Sequence, residues 1–436
     1  MKKISFFQFD LILFSVTLFL MITGILFIYS SGINIDGEIT SNEYEKQIIW
    51  VITGLILVII FSFLNYSILK RYSPHIYVGF LVLLIITTIF GKEVNGAKSW
   101  LGFGDFGIQP SEFAKIAVIL LFGNYLFSIG KRIKELKYFI LGLLIVLLPM
   151  ILILSQPDMG TTLVFIPIFL IMSYIAGAKT RHVLFILIMG ILTVIIGMLP
   201  KYQLYILGEE SFIITILTDW DYVKFILLSF IIILALSAWG YYFIKEKYFY
   251  WIGYFSTLGL FSFSGSFLLR KFLSNYQIER LIIFLDPFKD ERGFGMQTIQ
   301  SMNAIGSGGF WGKGLFNGTQ SQLNYIPQQS TDFIFSILAE EWGFIGGLFI
   351  LALFLIMILR GIRIISITKD NYAINIGTGI IAMIFFHIIV NIGMTIGIMP
   401  ITGIPVFLLS YGGSSLWTAA IGIGILLDIY LRRYRY

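Results

Sequence analysis

Asp332 is the acidic residue in this sequence whose position best suits chemistry. It stands in the run Ser330-Thr331-Asp332-Phe333, directly before a long apolar segment. Ser, Thr and Asp all favour helix N-termini, so we expect Asp332 to cap the helix that follows. A partly desolvated carboxylate at the mouth of a groove is also a good general base, worth typically about 10²–10⁴-fold in rate. The two roles are compatible.

Two further acids, Glu340 and Glu341, lie inside the same apolar segment. Glu340 follows Asp332 by eight residues, which places both side chains on roughly one face of a helix. Acids within a membrane span are costly, and they either bind a neighbouring helix or serve a function. Both interpretations remain open for these two residues.

A second group of candidates opens an earlier apolar segment, in the run Q-P-S-E-F-A-K at 109–115. Glu112 and Lys115 are three residues apart, so they share a helix face and can neutralise each other. The Lys115 ammonium could equally contact a diphosphate. Trp100, just upstream, is expected either in the aromatic belt at the membrane interface or as a platform for a sugar or lipid.

The glycine-rich stretch 304–314 superficially resembles a phosphate loop. It lacks the spacing G-x-x-x-x-G-K-[ST] and no strand precedes it, so we reject nucleotide binding. Its glycines are expected to permit tight turns against lipid headgroups. Lys313 and Arg280 are then available to bind phosphates.

The elements that carry these residues are predicted to be membrane-spanning helices. Of the 436 residues, 58% are hydrophobic and 12% are charged, whereas about 25% are charged in a soluble domain. We predict an all-α, polytopic transmembrane bundle of about twelve spans. The predicted spans are 11–31, 47–64, 75–91, 109–128, 138–155, 161–178, 182–200, 222–244, 248–269, 334–358, 374–398 and 415–431.

Charge and cysteine content exclude several classes of partner. The net charge of +6 resides mostly in short loops between spans, as the positive-inside rule requires, so we expect no nucleic acid partner. There is no cysteine, and the three histidines lack metal-ligand spacing. A divalent cation such as Mg or Mn is possible, but it would need carboxylates, and its ligands are unknown.

Threading the spans with both termini in the cytoplasm places the basic loops inside. Four polar, Gly- and Pro-rich stretches then lie on the outer face, at 95–112, 156–162, 275–332 and 399–415. Irregular backbone at membrane depth is tolerated only where it is buried in protein or lines a cavity. We therefore expect a substrate site among these stretches.

At these residues the sequence resembles the SEDS family (shape, elongation, division and sporulation), and within it the rod-shape-determining branch. The resemblance runs nearly end to end. The matching motifs include N-G-A-K-S-W-L with Q-P-S-E-F-x-K (95–115), Q-P-D-M-G-T (156–161), E-R-x-x-x-F-L-D-P (279–287), Q-S-x-x-A-I-G-S-G-G-x-x-G-K-G (300–314), G-T-Q-S-Q-L (318–323), T-D-F-I-F with E-E-x-G-F-x-G (331–346), V-N-I-G-M (390–394) and S-Y-G-G-S-S (410–415).

The resemblance implies a peptidoglycan glycosyltransferase of the bacterial cytoplasmic membrane that acts on the extracytoplasmic side during cell elongation. It implies that Asp332, as general base, deprotonates the 4-hydroxyl of a lipid II acceptor, which attacks C1 of the donor. Undecaprenyl diphosphate leaves, and a β-1,4 bond forms with inversion. A class B penicillin-binding protein, a transpeptidase, is the implied partner, in addition to membrane lipids. Candidate substrate-binding residues are Trp100, Glu112, Lys115, Asp158, Arg280 and Lys313.

The sequence departs from the family pattern beside the catalytic position. Relatives typically read L-P-E-x-H-T-D, whereas Gln328 and Ser330 replace the acid and the histidine here. The family usually has ten spans, so we predict an extra transmembrane hairpin within 180–270. We expect residues 1–436 to form a single integral membrane domain that includes this hairpin and has a large extracytoplasmic loop at 270–332.

Two other functions stay open at the level of sequence. A lipid II flippase would also surround a polar site with many spans, but it should show inverted-repeat symmetry and polar mid-span residues on both sides of the membrane centre. Neither feature is evident. A non-catalytic scaffold for a penicillin-binding protein would tolerate the loss of the Asp332 carboxylate.

Overall fold

The computed structural model describes residues 9–34, 36–94, 96–103, 106–209, 211–272, 275–290, 293–323, 325 and 327–433. Helices dominate this part of the chain. In chain order they are Leu11–Ser31 (α1), Glu43–Phe63 (α2), Tyr66–Phe90 (α3), Pro110–Ile129 (α4), Leu136–Leu154 (α5), Met159–Ile175 (α6), Thr180–Tyr202 (α7), Phe212–Thr218 (α8), Trp220–Phe243 (α9), Lys247–Phe272 (α10), Asn275–Ile283 (α11), Phe294–Gly308 (α12), Thr319–Gln322 (α13), Ile334–Ser366 (α14), Asn371–Thr395 (α15) and Gly413–Arg432 (α16).

The twelve predicted spans correspond to twelve apolar helices. Among the described residues, eleven helices are long and apolar enough to cross a membrane, and α6 is a shorter apolar helix of 17 residues. At 1.5 Å per residue α6 is about 26 Å long, slightly less than the hydrocarbon thickness of a typical bilayer. The predicted fold class, a polytopic all-α membrane protein, is confirmed.

A small antiparallel sheet lies between α3 and α4. Its strands are Lys92–Val94 (β1), Ala97–Phe103 (β2) and Phe106–Ile108 (β3), in the order β1-β2-β3. The sequence analysis predicted only irregular polar loop here, and the two outer strands, of three residues each, are too short to show alternation. Asn95, the first residue of the predicted motif in this loop, lies outside the described residues.

The chain forms two compact units, Met1–Ala178 with Met296–Tyr436, and Lys179–Gly295. The second unit contains α9 and α10, which pair closely: Ser237 donates a hydrogen bond to the Phe249 carbonyl at 2.7 Å, and Ser256 donates to the Phe230 carbonyl at 2.7 Å. Small polar residues at such contacts let two membrane helices approach. The inserted hairpin and the single-domain organisation remain predictions.

The interior of the first unit is formed by its most buried helices, α15 and α16. α16 packs against α2, α15 packs against α4 and α6, and α14 packs against α1. This arrangement gathers the N-terminal ends of α4, α6, α14 and α16 and the C-terminal end of α15 around one set of polar loops. The contacts within that set define the candidate site.

Candidate active site

Asp332 lies in a turn immediately before α14. Its backbone N–H donates to the Gln328 carbonyl at 3.1 Å. The N-cap residue of α14 is Phe333, without a side-chain capping bond, so the predicted capping role of Asp332 is wrong. Because Asp332 precedes the helix, the helical spacing to Glu340 does not apply either. α14 begins at Ile334, one residue later than an N-cap at Asp332 would require.

The Asp332 carboxylate lies against the loop that joins α15 to α16. Its Oδ2 is 3.7 Å from the position that a Cβ would take at Gly403, and the residue is partly exposed. Gly403 has a positive φ of 69°. Any other residue there would be strained by this backbone conformation, and its Cβ would lie in ordinary van der Waals contact with the carboxylate. This side of the loop therefore leaves space beside Asp332.

Asn391, at the end of α15, ties Asp332 to this loop. Its side-chain amide donates to the Asp332 carbonyl at 2.9 Å and to the Ile404 carbonyl at 2.8 Å. The Tyr411 N–H donates to the Ser330 carbonyl at 2.9 Å. The α15–α16 loop and the turn before α14 are thus held together at two points.

The N-terminal ends of α4 and α6 meet the same loop. Gln109 donates its backbone N–H to Ser414 Oγ at 2.9 Å and its side-chain amide to Asp158 Oδ2 at 2.8 Å. Gly160 packs so closely on the Thr402 carbonyl that a Cβ would overlap it. Polar segments around residues 109, 158, 332 and 404 therefore converge within the first unit.

Asp158 is the N-cap of α6. Its carboxylate accepts from the Thr161 N–H at 3.1 Å and from the Thr161 hydroxyl at 2.8 Å, as well as from Gln109. Three hydrogen bonds satisfy most of the capacity of a carboxylate to accept them. Capping explains why an acid stands here, and the predicted contact with substrate remains a prediction.

Glu112 and Lys115 form the ion pair that their spacing predicted. Lys115 Nζ lies 2.7 Å from Glu112 Oε1, and the two side chains are 0% and 3% exposed. Lys115 Nζ also lies 3.0 Å from His387 Nε2. Because an ammonium only donates, His387 Nε2 accepts, which assigns the imidazole proton to Nδ1. Nδ1 then donates to the Pro405 carbonyl at 2.9 Å.

This buried cluster connects α4 to the loop beside Asp332. His387 also stacks on the Phe407 ring at 3.7 Å between centroids. Breaking a buried ion pair by removing one partner costs about 3–5 kcal/mol, so Lys115 is firmly held where it is. The geometry suits a residue that positions the loop, and the predicted contact of Glu112 and Lys115 with substrate remains untested.

In the glycine-rich stretch 304–314, Gly308 and Gly312 pack against α14. The predicted turns of this stretch against lipid headgroups remain a prediction. α14 is broken at Gly343, where φ is +67°. The Lys313 and Gly314 N–H groups donate to the Glu340 and Glu341 carbonyls at 3.1 and 3.0 Å, across this break. A Cβ on Gly312 would overlap the Glu341 carbonyl oxygen. The glycines are needed for close backbone approach.

Lys313, predicted to bind phosphate, pairs with Glu340 in α14, and its predicted contact with phosphate remains a prediction. Lys313 Nζ lies 2.7 Å from Glu340 Oε1. Glu341, the neighbouring acid, accepts a hydrogen bond from Ser30 in α1. Both acids within the span therefore bind neighbouring segments, which was one of the two interpretations that the sequence left open.

The remaining two predicted residues lie elsewhere in the chain. Trp100 is partly buried on β2, where its ring contacts Gly107, and the sheet joins the 156–158 segment through a bond of 3.2 Å from the Lys98 N–H to the Gln156 carbonyl. Arg280 belongs to the second unit, on α11. Its predicted role toward the diphosphate is not tested by this geometry.

Asn391, His387 and Gln109 were not singled out by the sequence analysis as site residues. Asn391 and His387 are buried polar residues within α15, Gln109 is the N-cap residue of α4, and Asn391 stands inside the V-N-I-G-M motif. A buried polar residue in a span is a signal of function or packing, and it could have identified the first two. Within the described residues, no three His, Asp or Glu side chains lie close enough to hold a metal ion.

Fold and site together define a multi-pass, all-α membrane protein in which polar helix ends and loops surround the partly exposed carboxylate of Asp332. The chain belongs to the family of FtsW, RodA and SpoVE, described as cell cycle proteins, and the match covers residues 10–208 and 210–435. The predicted family is therefore confirmed.

The relatives of this chain include enzymes of cell-wall synthesis. It is 46% identical over 426 residues to the peptidoglycan glycosyltransferase RodA of Treponema pallidum, covering 98% of both chains. It is 30% identical to the peptidoglycan glycosyltransferase MrdB of Escherichia coli, covering 89% of this chain and 86% of the relative. Stage V sporulation protein E of Bacillus subtilis is 32% identical over 96% of both chains.

Two solved structures share the fold. A chain from "Structural coordination of polymerization and crosslinking by a peptidoglycan synthase complex" has a TM-score of 0.69 and 24% identity, covering 98% of this chain and 99% of its own length. RodA of Thermus thermophilus has a TM-score of 0.61 and 23% identity, covering 98% of both chains. At this identity the likeness shows the shared fold.

Proposed function

We propose that this protein is a peptidoglycan glycosyltransferase that polymerises lipid II into β-1,4-linked glycan at the outer face of the cytoplasmic membrane. The observation that carries the proposal is the 46% identity, over 98% of both chains, to a relative named as a peptidoglycan glycosyltransferase. The arrangement around Asp332 supports it, because a partly exposed carboxylate at a membrane-helix end suits an acceptor hydroxyl. The class of reaction is glycosyl transfer.

In the proposed reaction Asp332 is the general base. Its carboxylate takes the proton of the acceptor 4-hydroxyl as the oxygen attacks C1 of the donor sugar. The C1–O bond to the diphosphate breaks, undecaprenyl diphosphate leaves with the bonding electron pair, and the configuration at C1 inverts.

The two substitutions beside Asp332 are compatible with this role. Gln328 contributes its backbone carbonyl, which accepts from the Thr331 and Asp332 N–H groups at 3.3 and 3.1 Å. Ser330 contributes its carbonyl to Tyr411. Because the turn is held by backbone groups, replacing the usual Glu and His side chains leaves those contacts intact. The acid of the T-D-F motif, Asp332, is itself present in this sequence.

We further propose that the protein works with a class B penicillin-binding protein. The structural neighbour from a peptidoglycan synthase complex supports this partnership. Undecaprenyl diphosphate would be released into the same membrane. The residues that would contact the partner are not assigned.

The proposal is tested by giving the purified protein lipid II, with and without its cognate penicillin-binding protein, and separating the products on a gel. We expect glycan polymer. A parallel assay in liposomes follows the transfer of fluorescent lipid II between leaflets. Transfer without any polymer, in a mixture where a second polymerase is active, would identify a flippase. If neither transfer nor polymer is observed, the non-catalytic scaffold is the function that remains.

A further inference from the structure

The strongest unassigned feature of the first unit is the carboxylate of Glu340. It lies inside α14 with a side-chain exposure of 0%, and five groups donate hydrogen bonds to it. Burying an acid within an apolar span is costly. A shell of five donors around this carboxylate therefore calls for an explanation. Its donors come from a single stretch of chain.

The five donors lie between the end of α12 and the end of α13. Glu340 Oε1 accepts from Lys313 Nζ at 2.7 Å and from the Gln320 N–H at 3.0 Å, and Oε2 accepts from the Ser321 N–H at 3.3 Å. The hydroxyl groups of Thr319 and Ser307 complete the shell at 3.2 and 3.3 Å. The carboxylate therefore binds the N-terminal amides of α13 and the one cation beside them.

These contacts determine how residues 313–321 lie on α14. Lys313 Nζ also donates to Thr319 Oγ1 at 2.7 Å, so its ammonium bridges the carboxylate and the start of α13. Charge-assisted hydrogen bonds are roughly twice as strong as neutral ones. A neutral side chain at position 340 could not satisfy Lys313 and both amides together.

The same stretch of chain continues to the proposed catalytic base. Ten residues lie between Ser321 and Asp332, and one of them, Gln329, donates from its side chain to the Ser31 carbonyl of α1 at 2.7 Å. Phe316 also packs edge-on against Tyr29 at 5.7 Å between centroids. Phe316 and Gln329 thus both contact the end of α1, and Glu340 binds the residues between Lys313 and Ser321.

We propose that Glu340 is a positioning residue, which holds residues 313–321 on α14 and thereby sets the path of the chain into Asp332. Lys313 acts through Glu340 and does not bind the substrate diphosphate. The inference rests on the proposed glycosyltransferase function. Small displacements of a reacting group can cost as much as about 10²-fold in rate, so loosening the segment lowers turnover.

The test compares the wild type with Glu340→Gln, which keeps the shape of the side chain and removes its charge. Hydrogen exchange reports the position of the segment, because the Gln320 and Ser321 amides are bonded to Glu340. We expect their exchange to accelerate by at least about tenfold, as expected for the loss of a charge-assisted bond. Unchanged exchange would overturn the proposal, and this readout requires no enzymatic activity.

Kinetics then separate positioning from a general loss of structure. Per folded molecule, Glu340→Gln should lower kcat for lipid II polymerisation by about tenfold with KM changed by less than about twofold. Lys313→Met should show the same pattern in milder form. A rise in KM with unchanged kcat for Lys313→Met would show that Lys313 binds substrate, and would overturn its assignment to Glu340.

Asp10→Asn is the matched control. Asp10 is also 0% exposed and pairs with Arg360, 17% exposed, at 2.5 Å, but it lies at the opposite end of α1. It should leave kcat and the exchange of residues 313–321 unchanged. If Glu340→Gln fails to fold, Thr319→Val removes one exposed hydroxyl from the shell and should show a smaller effect in the same direction. Absence of polymer from the wild type would reject the proposed function, while exchange would still decide whether Glu340 holds residues 313–321.

Discussion

The side-chain amide of Asn391 donates a hydrogen bond of 2.9 Å to the backbone carbonyl of Asp332. The same amide nitrogen reaches the Ile404 carbonyl at 2.8 Å, so one fully buried side chain joins the turn before α14 to the loop beside it. The position of the Asp332 carboxylate thus depends on a residue 59 positions away in sequence.

Asn391→Ala should lower turnover without abolishing folding. It leaves two carbonyl groups without their donor, and an unsatisfied buried group costs about 1–3 kcal/mol. We expect kcat to fall by at least about tenfold because the base is less well positioned. Asn124→Ala is the control, since Asn124 donates comparable bonds to the Lys70 carbonyl and Ser73 Oγ at the other end of α4. Equal loss in both variants would contradict a specific role for Asn391.

Lys115→Met should destabilise the protein strongly. Glu112 would remain buried as an unpaired acid, which costs about 3–5 kcal/mol, and His387 would lose its donor. Adding Glu112→Gln removes the stranded charge, so the double variant should recover much of that stability. The measurement is the free energy of unfolding in a detergent titration. Additive losses in the double variant would show that the pair contributes little to folding.

The helical framework could be predicted from the sequence, whereas much of the site could not. Apolar runs give each span a strong signal because a bilayer imposes both length and composition. The capping assignment of Asp332 failed because Ser330, Thr331 and Asp332 are all capping residue types, and composition alone cannot say where the helix begins. The structure begins it at Ile334, beyond all three.

Long-range polar contacts set the remaining limit. The pairing of Glu112 with Lys115 followed from spacing on one helix. The addition of His387 did not, because it lies 272 residues from Lys115. Similarly, the pairing of Lys313 with Glu340 could not be predicted from spacing, because 27 residues separate the two in sequence. Sequence showed which residues are chemically capable, and tertiary contacts show which of them are already bound.

Gly312→Ala should disrupt the packing of the 309–314 segment on α14. Gly312 has a φ of +81°, and a Cβ there would overlap the Glu341 carbonyl. Gly306→Ala is the control, because no atom lies within 4 Å of its Cβ position and it lies inside α12. Alanine in a helix interior is favoured over glycine by about 0.5–1 kcal/mol. The unfolding temperature measured in detergent should therefore fall for Gly312→Ala and stay unchanged or rise for Gly306→Ala.

The proposed orientation in the membrane can be measured by cysteine labelling, since the chain contains no cysteine of its own. We expect Leu285→Cys to react with a membrane-impermeant maleimide in intact spheroplasts. Lys134→Cys and Lys247→Cys should react only after lysis, because Lys134 lies between α4 and α5 and Lys247 begins α10, at positions that the positive-inside rule assigns to the cytoplasm. Labelling of Lys247→Cys in intact cells would contradict the twelve-span threading through the α9–α10 hairpin.

The most direct test of the account is glycan polymerisation by Asp332→Asn. Wild type, Asp332→Asn and the exposed-site control Asp221→Asn are purified, mixed with lipid II and the cognate penicillin-binding protein, and assayed for polymer on a gel. The account predicts polymer from the wild type and the control, and a loss of at least about 10²-fold for Asp332→Asn, the lower range for a general base. Equal polymer from all three proteins would contradict the assignment of Asp332 as the base.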